Sequence, residues 1–523
     1  MDLKNLQNGS DIRGIALEGA KNEPVNLTPQ VINLLGKAFG KWLEVKGFER
    51  PSVAVGMDSR ISGPSLKQEF CSGLVYSGIK VYDCGLASTP AMFMATISEK
   101  INTDGAVMLT ASHLPFNRNG LKFFTKNGGL NKNDITDILN IAESAGLEAG
   151  ISDRDRKYQD RNGKYDESAV IEEGISEGVI TEIDLMSEYS SSLVSYIRET
   201  VNDTDNYDRP LEGLKIIVDA GNGAGGFFAD RVLEPLGADT RGSQFLEPDG
   251  MFPNHVPNPE DEQAMHSLCS AVIREKADMG IIFDTDVDRA AIADSEGSPV
   301  NRNRLIALIA ATILNEHPGS IIVTDSITSD GLTSFIENEL KGVHHRFKRG
   351  YKNVIDEAQR LNSEGKECHL AIETSGHAAL KENHFLDDGA YLIAKLLTQM
   401  AILKNNNTGL LWLIRSLSEP AESKEYRLSI KTADFSAYGT KVIEQMREWA
   451  GMQDGMVIQE PNYEGLRVKC TGENEKGWFL IRLSLHDPVM PLNVESDVEG
   501  GVEKITSRLK NILSSFTGLD CPF

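Results

Sequence analysis

The sequence predicts an α/β protein: three consecutive similar α/β domains with mixed or parallel sheets, then a C-terminal α+β domain. Three observations carry this. An apolar strand running into a small or acidic turn and then a helix occurs around residues 105–112, 214–226 and 320–326. Spacings above a hundred residues mean repeated domains, not a solenoid. Between 52 and 112 strand and helix patterns alternate, the signature of βαβ units. After 425 the pattern is strand-rich, with helices expected only over 437–450 and 500–515. At 523 residues the chain suits three or four domains. The boundaries are placed at 1–190, 191–302, 303–420 and 421–523, with a polar insertion at 143–181.

In order, the chain opens on Gly9-Ser-Asp-Ile-Arg-Gly14, a glycine-flanked turn presenting Arg13. A helix is expected over 27–43, capped by Thr28 with Pro29 in its first turn. Ser52-Val-Ala-Val-Gly-Met-Asp58-Ser-Arg60 reads as a buried strand entering a charged turn. The apolar run from 105 to 109 leads into Thr110-Ala-Ser-His-Leu-Pro-Phe-Asn-Arg-Asn-Gly-Leu-Lys122. There Ser112 stands beside His113, Asn119-Gly120 is expected to turn the chain back, and Lys122 follows. A hydroxyl at the carboxyl end of a buried strand, flanked by imidazole and ammonium, is a weak nucleophile placed for activation. Alone, the motif also fits an ordinary surface serine.

The stretch 143–181 is strongly polar and reads as a solvated excursion with no chemistry. A helix over 184–201 leads to Leu214-Lys-Ile-Ile-Val-Asp219-Ala-Gly-Asn-Gly-Ala-Gly-Gly226. Its glycines stand at 221, 223, 225 and 226 and miss the G-x-G-x-x-G spacing of a dinucleotide site. Asp284-Thr-Asp286-Val-Asp288-Arg289 follows an apolar strand and gathers three carboxylates at alternate positions. Oxygen donors converging in one turn suit a hard cation such as Mg2+. An EF-hand fails, because its glycine position holds Arg289 and its glutamate position Ser295. A phosphatase with an aspartate nucleophile is a rival, although Asp288 stands where threonine or valine is usual.

Leu370-Ala-Ile-Glu373-Thr-Ser375-Gly-His377 again ends a strand in polar groups. A carboxylate and hydroxyl two residues apart can bond neighbouring sugar hydroxyls, and an imidazole can move a proton. Phe347-Lys-Arg-Gly350-Tyr-Lys352 offers a glycine–lysine loop, and 416–424 reads as a linker.

Composition narrows the partners. A net charge of −24 argues against nucleic acid or an anionic membrane. A phosphorylated substrate would need a local cluster of Arg, Lys and His. The six cysteines show no Cys-x-x-Cys spacing, so reduced thiols are expected. No apolar run approaches a membrane span, and residues 1–14 lack a signal-peptide core. The expected setting is the cytoplasm or a plastid stroma, any transit peptide lying outside this numbering.

Taken together, these motifs resemble the α-D-phosphohexomutases. Thr110-Ala-Ser112-His113 with Asn119-Gly120 and Lys122 is similar to that family's phosphoserine loop, with Leu114 in place of its usual asparagine. The loop 284–289 resembles its Asp-x-Asp-x-Asp-Arg metal loop, and 373–377 its Glu-x-Ser-Gly-His sugar loop. The resemblance implies an active site in the central cleft and a phosphorylated Ser112. It implies one Mg2+ held by Ser112, Asp284, Asp286 and Asp288. Arg13, His113 and Arg289 would assist, with Lys122 and His377 as proton-transfer candidates. Glu373, Ser375, Gly350 and Lys352 would bind a hexose phosphate, in a monomer or dimer. A hexose 1,6-bisphosphate would serve as activator or product.

The last domain departs from the pattern. Where the family has Arg-x-Ser-Gly-Thr-Glu-Pro-x-x-Arg, this chain reads Arg482-Leu-Ser484-Leu-His486-Asp-Pro488-Val-Met-Pro491. Arg482, Ser484 and His486 remain as phosphate-binding candidates, but the loop is altered. The main reading is therefore a phosphoglucomutase- or phosphomannomutase-type transferase. Synthesis of a hexose 1,6-bisphosphate, as in a divergent branch of that family, is the alternative. A non-catalytic sugar-phosphate sensor and an aspartyl-phosphate phosphatase are lesser ones.

Overall fold

A computed structural model describes residues 2–19, 23–148, 179–404, 408–484 and 487–522. Two compact units emerge: Met1–Val300 with Leu386–Thr408, and Asn301–Phe385 with Gly409–Phe523. Among the described residues no helix is long and apolar enough to cross a membrane.

The first unit holds two sheets. In the larger, the strands Lys80–Leu86, Ser52–Met57 and Gly105–Leu109 run parallel. Arg118–Thr125 then pairs antiparallel with Gly105–Leu109, and Asp11–Ile15 with Arg118–Thr125. Ser52–Met57 and Gly105–Leu109 are buried almost throughout, as parallel strands covered on both faces must be. One cover is the helix Pro29–Val45, which Thr28 caps by accepting from Val31 N. Its buried face (Leu35, Phe39, Leu43) joins Phe70 and Phe123 in one core.

In the smaller sheet Ile216–Asp219 and Met279–Phe283 are parallel, and Ala290–Asp294 returns antiparallel. The helices Leu185–Val201 and Gly389–Lys404 pack on each other in this unit.

The second unit has Val343–Arg346, Ile321–Thr324 and Cys368–Ile372 in parallel. Ala378–Leu380 is antiparallel to the last of these. Its other sheet is antiparallel, in the order Met456–Ile458, Leu466–Cys470, Gly477–Ile481, Val489–Ser496, Glu422–Ile430, Leu519–Asp520. The helices Phe435–Gly451 and Gly501–Leu513 close its core around Leu428, Val442, Phe479 and Leu509. Mixed α/β sheets and an α+β end are the architecture expected from the sequence.

Three local expectations are corrected. Asn119-Gly120 is not a turn but lies inside the strand Arg118–Thr125. Gly120 is there for closeness, since an added Cβ would lie 2.2 Å from Ile12 O. The chain reverses earlier, between Leu109 and Arg118. The linker expected at 416–424 ends early, because Glu422–Ile430 is a strand paired with Val489–Ser496. The ends of the polar stretch 143–181 belong to the helix Lys132–Glu148 and the strand Ile180–Glu182. Its centre, 149–178, lies outside the described residues.

Candidate active site

Within the first unit the site grows from strand ends. After Gly105–Leu109 the backbone must turn at once, and Thr110 Oγ1 accepts from Ser112 N at 2.8 Å to close the turn. Ser112 sits at φ 51, a left-handed conformation that costs a residue with a Cβ about 1–2 kcal/mol. Strain of this kind persists only where the surroundings over-determine it.

Most of that surrounding grip comes from one guanidinium. Arg60, fully buried, donates to the carbonyls of Ser112, Leu114, Pro115 (2.8 Å) and Arg118 (3.0 Å), and pairs with Asp58 at 3.2 Å. Burial pushes Asp58 up to about 6 despite that pairing. Arg13 Nη1 adds a bond to Ala111 O at 2.7 Å. The backbone on both sides of Ser112 is thus held through its carbonyls by guanidinium groups.

Ser112 Oγ donates to Asp284 Oδ2 at 3.0 Å, and His113 Nδ1 lies 3.3 Å from Ser112 Oγ. Asp284, Asp286 and Asp288 follow the strand Met279–Phe283. All are buried, with one oxygen from each within 4.8 Å of the others. Between them Val287 sits at φ 67, a rare conformation for a β-branched side chain. The start of the helix Gly389–Lys404 holds it there. Gly389 N donates to Val287 O at 3.1 Å, and a Cβ on Gly389 would come 2.7 Å from Arg289 C.

From below, Ala224 N donates to Thr285 O at 2.8 Å, and a Cβ on Gly223 would stand 2.7 Å from that oxygen. The glycine-rich turn after Asp219 is therefore the floor of the acidic loop. Thr89, at the start of the helix Thr89–Ile97, donates to Asp286 through both its N–H and its hydroxyl.

Electrostatically the triad calls for a cation. Lys122 Nζ pairs with Asp286 at 2.9 Å and with Asp288. Burial alone would lower the Lys122 pKa, but the two aspartates outweigh it and hold the group well above its usual value. Burial, then Asp288 and Asp286, drive Asp284 well above the carboxylate range. Among the described residues Asp286 Oδ1 is buried without a hydrogen-bond partner. Three carboxylates around an oxygen that lacks a donor form a hard-cation donor set. Arg289 N donates to Asp284 Oδ1 at 3.2 Å, and its side chain lies 3.9 Å from Glu260. Asp387, buried in the same unit, is raised first by its burial and then by Asp288.

The second unit carries the other candidates. Glu373 N donates to His377 O at 2.9 Å and Gly376 N to Glu373 O at 3.1 Å, a tight turn with Gly376 at φ 92. Gly350 N donates to the Glu373 carboxylate at 2.6 Å. Burial, then Asp325, push Glu373 up to about 7. Ser375 Oγ is buried and has no hydrogen-bond partner among the described residues. His377 stacks on Tyr351 at 5.3 Å.

Lys352 pairs along its own helix with Asp356 at 2.5 Å. The cation beside the turn is Arg349, 3.8 Å from Asp325. Arg482 approaches Glu464 at 3.8 Å, and Ser484 N donates to Val489 O at 3.0 Å. Leu485 and His486 lie outside the described residues.

Sequence reading missed Arg60, Thr89, Asp325 and Glu464. Most of their partners are distant in sequence; Arg60 and Asp325 stand just past apolar strands, and Glu464 carries no such local signal.

Three family models match: phosphoglucomutase/phosphomannomutase alpha/beta/alpha domain I over residues 4–148, domain II over 194–297 and domain III over 301–420. A phosphoglucomutase of Neisseria meningitidis is 30% identical over 513 residues, covering 98% of this chain and 97% of the relative. The chain belongs to the α-D-phosphohexomutase superfamily.

A phosphomannomutase/phosphoglucomutase of Pseudomonas aeruginosa is 28% identical over 98% of the chain and 96% of its own length. The crystal structure of a phosphoglucomutase/phosphomannomutase family protein from Burkholderia thailandensis superposes with a TM-score of 0.76. It is 25% identical and covers 98% of both chains. The chain is thus an enzyme of the phosphohexomutase type, an intramolecular phosphotransferase. The sensor and aspartyl-phosphatase readings are set aside.

Proposed function

We propose that the chain moves a phosphoryl group between Ser112 and the hydroxyls of a hexose phosphate of the glucose or mannose series. The observation that supports this most is Ser112 Oγ, held on a strained turn 3.0 Å from Asp284. Asp284, Asp286 and Asp288 would hold Mg2+, with the phosphorylated Ser112 completing the set. When bound, the ion offsets charge on the transferring group.

The remaining work falls to the chain. A sugar hydroxyl oxygen attacks the phosphorus on Ser112, the P–Oγ bond breaks, and the hydroxyl proton passes to a base. The sugar bisphosphate turns over and returns its other phosphate to Ser112 Oγ. Arg13 and Arg289 would steady the phosphoryl oxygens, and His113 would keep the seryl oxygen oriented. Of the two proton-transfer candidates, Lys122 is clamped as an ammonium by Asp286 and Asp288, which leaves His377. Glu373 and Ser375 would take neighbouring sugar hydroxyls, since Ser375 Oγ brings an unused hydrogen-bonding group.

The test is a panel of glucose, mannose and glucosamine 1-phosphates with Mg2+, with and without the matching 1,6-bisphosphate. Isomerisation that needs both Mg2+ and Ser112 supports the reading, and none with any sugar contradicts it.

One observation favours net bisphosphate synthesis as a second reading. Pro491, where the family pattern has its second arginine, is buried in the strand Val489–Ser496, and its carbonyl accepts from Arg482 N at 3.1 Å. A proline supplies no guanidinium to hold a distal phosphate, and a weaker grip favours release of the bisphosphate.

A further inference from the structure

The second unit places a carboxylate, Glu464, beside Arg482, the candidate for gripping the distal phosphate. Glu464 follows the strand Met456–Ile458 in a turn that ends at Gly465. A Cβ on Gly465 would stand 2.1 Å from Ile481 O and 2.9 Å from Arg482 Cα. The turn is therefore pressed against the backbone of Arg482, which fixes Glu464 beside that side chain.

Glu464 Oε2 accepts from Ser326 Oγ and from Arg349 N at 3.2 Å, while Oε1 stands 3.8 Å from Arg482 Nη1. The last separation is an ion pair too long for a hydrogen bond. Arg482 Nε is itself buried and has no hydrogen-bond partner among the described residues. Arg349, the cation next to Gly350, carries its Nε 3.8 Å from Asp325 Oδ2. Two guanidinium groups and a backbone N–H, the donors that suit a phosphate, are thus already attended by carboxylates.

We infer that Glu464 sets the affinity for the non-reacting phosphate, as a resident anion competing for Arg482 and for the N–H of Arg349. The inference rests on the reading of Arg482 as a phosphate-binding residue. A phosphate dianion arriving at Arg482 meets the Glu464 charge a few ångströms away. It must therefore be bound less tightly than by an unattended arginine. An enzyme built so releases its bisphosphate readily, in line with the proline at 491 and independently of it.

The test is calorimetric titration of glucose 1,6-bisphosphate in a Ser112→Ala background, so that binding is read without transfer. Glu464→Gln keeps an oxygen acceptor for Ser326 and Arg349, removes the charge and puts an amide NH2 in place of the oxygen that faces Arg482. It is expected to tighten binding about five- to tenfold, whereas Arg482→Ala is expected to weaken it. With Ser112 restored, Glu464→Gln should lower KM without raising kcat.

If Arg482→Ala weakens binding while Glu464→Gln leaves it unchanged or weakens it too, Glu464 is only a scaffold and the inference fails. If Arg482→Ala has no effect, the phosphate reading of Arg482 fails first and takes the inference with it. Should the glutamine variant not fold, Glu464→Asp is the second arm. It retracts the charge by one methylene, and tightening in proportion supports competition, whereas unchanged or weaker binding overturns it.

Discussion

Ser112 Oγ and Asp284 Oδ2 stand 3.0 Å apart across 172 residues of sequence. One oxygen is the candidate nucleophile, and the other belongs to the acidic triad. Ser112→Ala removes the nucleophile and leaves the backbone turn, whose Arg60 contacts are all to carbonyls. Turnover is expected to fall by about a thousandfold or more, roughly 4 kcal/mol of barrier, with an unchanged melting temperature. Activity surviving in that variant but lost in Asp284→Asn would return the reaction to the aspartate.

Arg60 is the other half of that turn. Arg60→Met strips the carbonyls of Ser112, Leu114, Pro115 and Arg118 of their donor and leaves Asp58 buried alone. Removing one partner of a buried pair costs about 3–5 kcal/mol. Denaturant unfolding should show a loss of that size, with activity lost as well. A change below about 1 kcal/mol would mean that the loop holds its shape without the arginine.

The acidic triad should respond to its ion in stability as well as in rate. With Mg2+ at a hundred times its dissociation constant, unfolding should cost about 2.7 kcal/mol more than after chelation. Asp286→Asn should abolish most of that increment. An equal Mg2+ response in wild type and variant would place the ion elsewhere.

A fourth expectation concerns pH. Glu495 is buried and accepts from Trp478 Nε1 at 2.9 Å and from Ser423 Oγ at 3.4 Å. Burial raises it from 4.5 to about 7. Between those values the folded chain keeps a proton that the unfolded chain has lost. Its contribution is therefore fully present below about 4.5 and is lost as pH rises through 7. A shift of that size corresponds to about 3 kcal/mol at most. Glu495→Gln keeps an acceptor for Trp478, so the stability difference between variant and wild type should grow in the variant's favour from pH 4.5 to 7. A pH-independent difference would show that Glu495 titrates normally.

How far the sequence alone leads depends on how far apart the partners lie. Asp284, Asp286 and Asp288 were legible because one turn carries all three, and Ser112 because its strand and turn are contiguous. The helix after Thr28 was legible from its cap and the proline in its first turn. Arg60 was not, because its function lies in carbonyls more than 50 residues away. Asn119-Gly120 misled for the opposite reason: locally it favours a turn, but the strand pairing with Asp11–Ile15 overrides that preference. The glycines at 223 and 389 have meaning only once the acidic loop is packed against them. Glu464 was silent, since nothing in its neighbourhood marks the arginine it faces.

The central claim is that Ser112 carries the phosphoryl group, and intact-mass analysis tests it most directly. The purified chain is incubated with Mg2+ and glucose 1,6-bisphosphate, and the product is mapped by peptide fragmentation. The account expects a mass gain of one phosphoryl group on Ser112, removed again by glucose 1-phosphate or mannose 1-phosphate and absent in Ser112→Ala. A chain that turns over hexose phosphate while Ser112 never gains that mass, under any bisphosphate supplied, would contradict it.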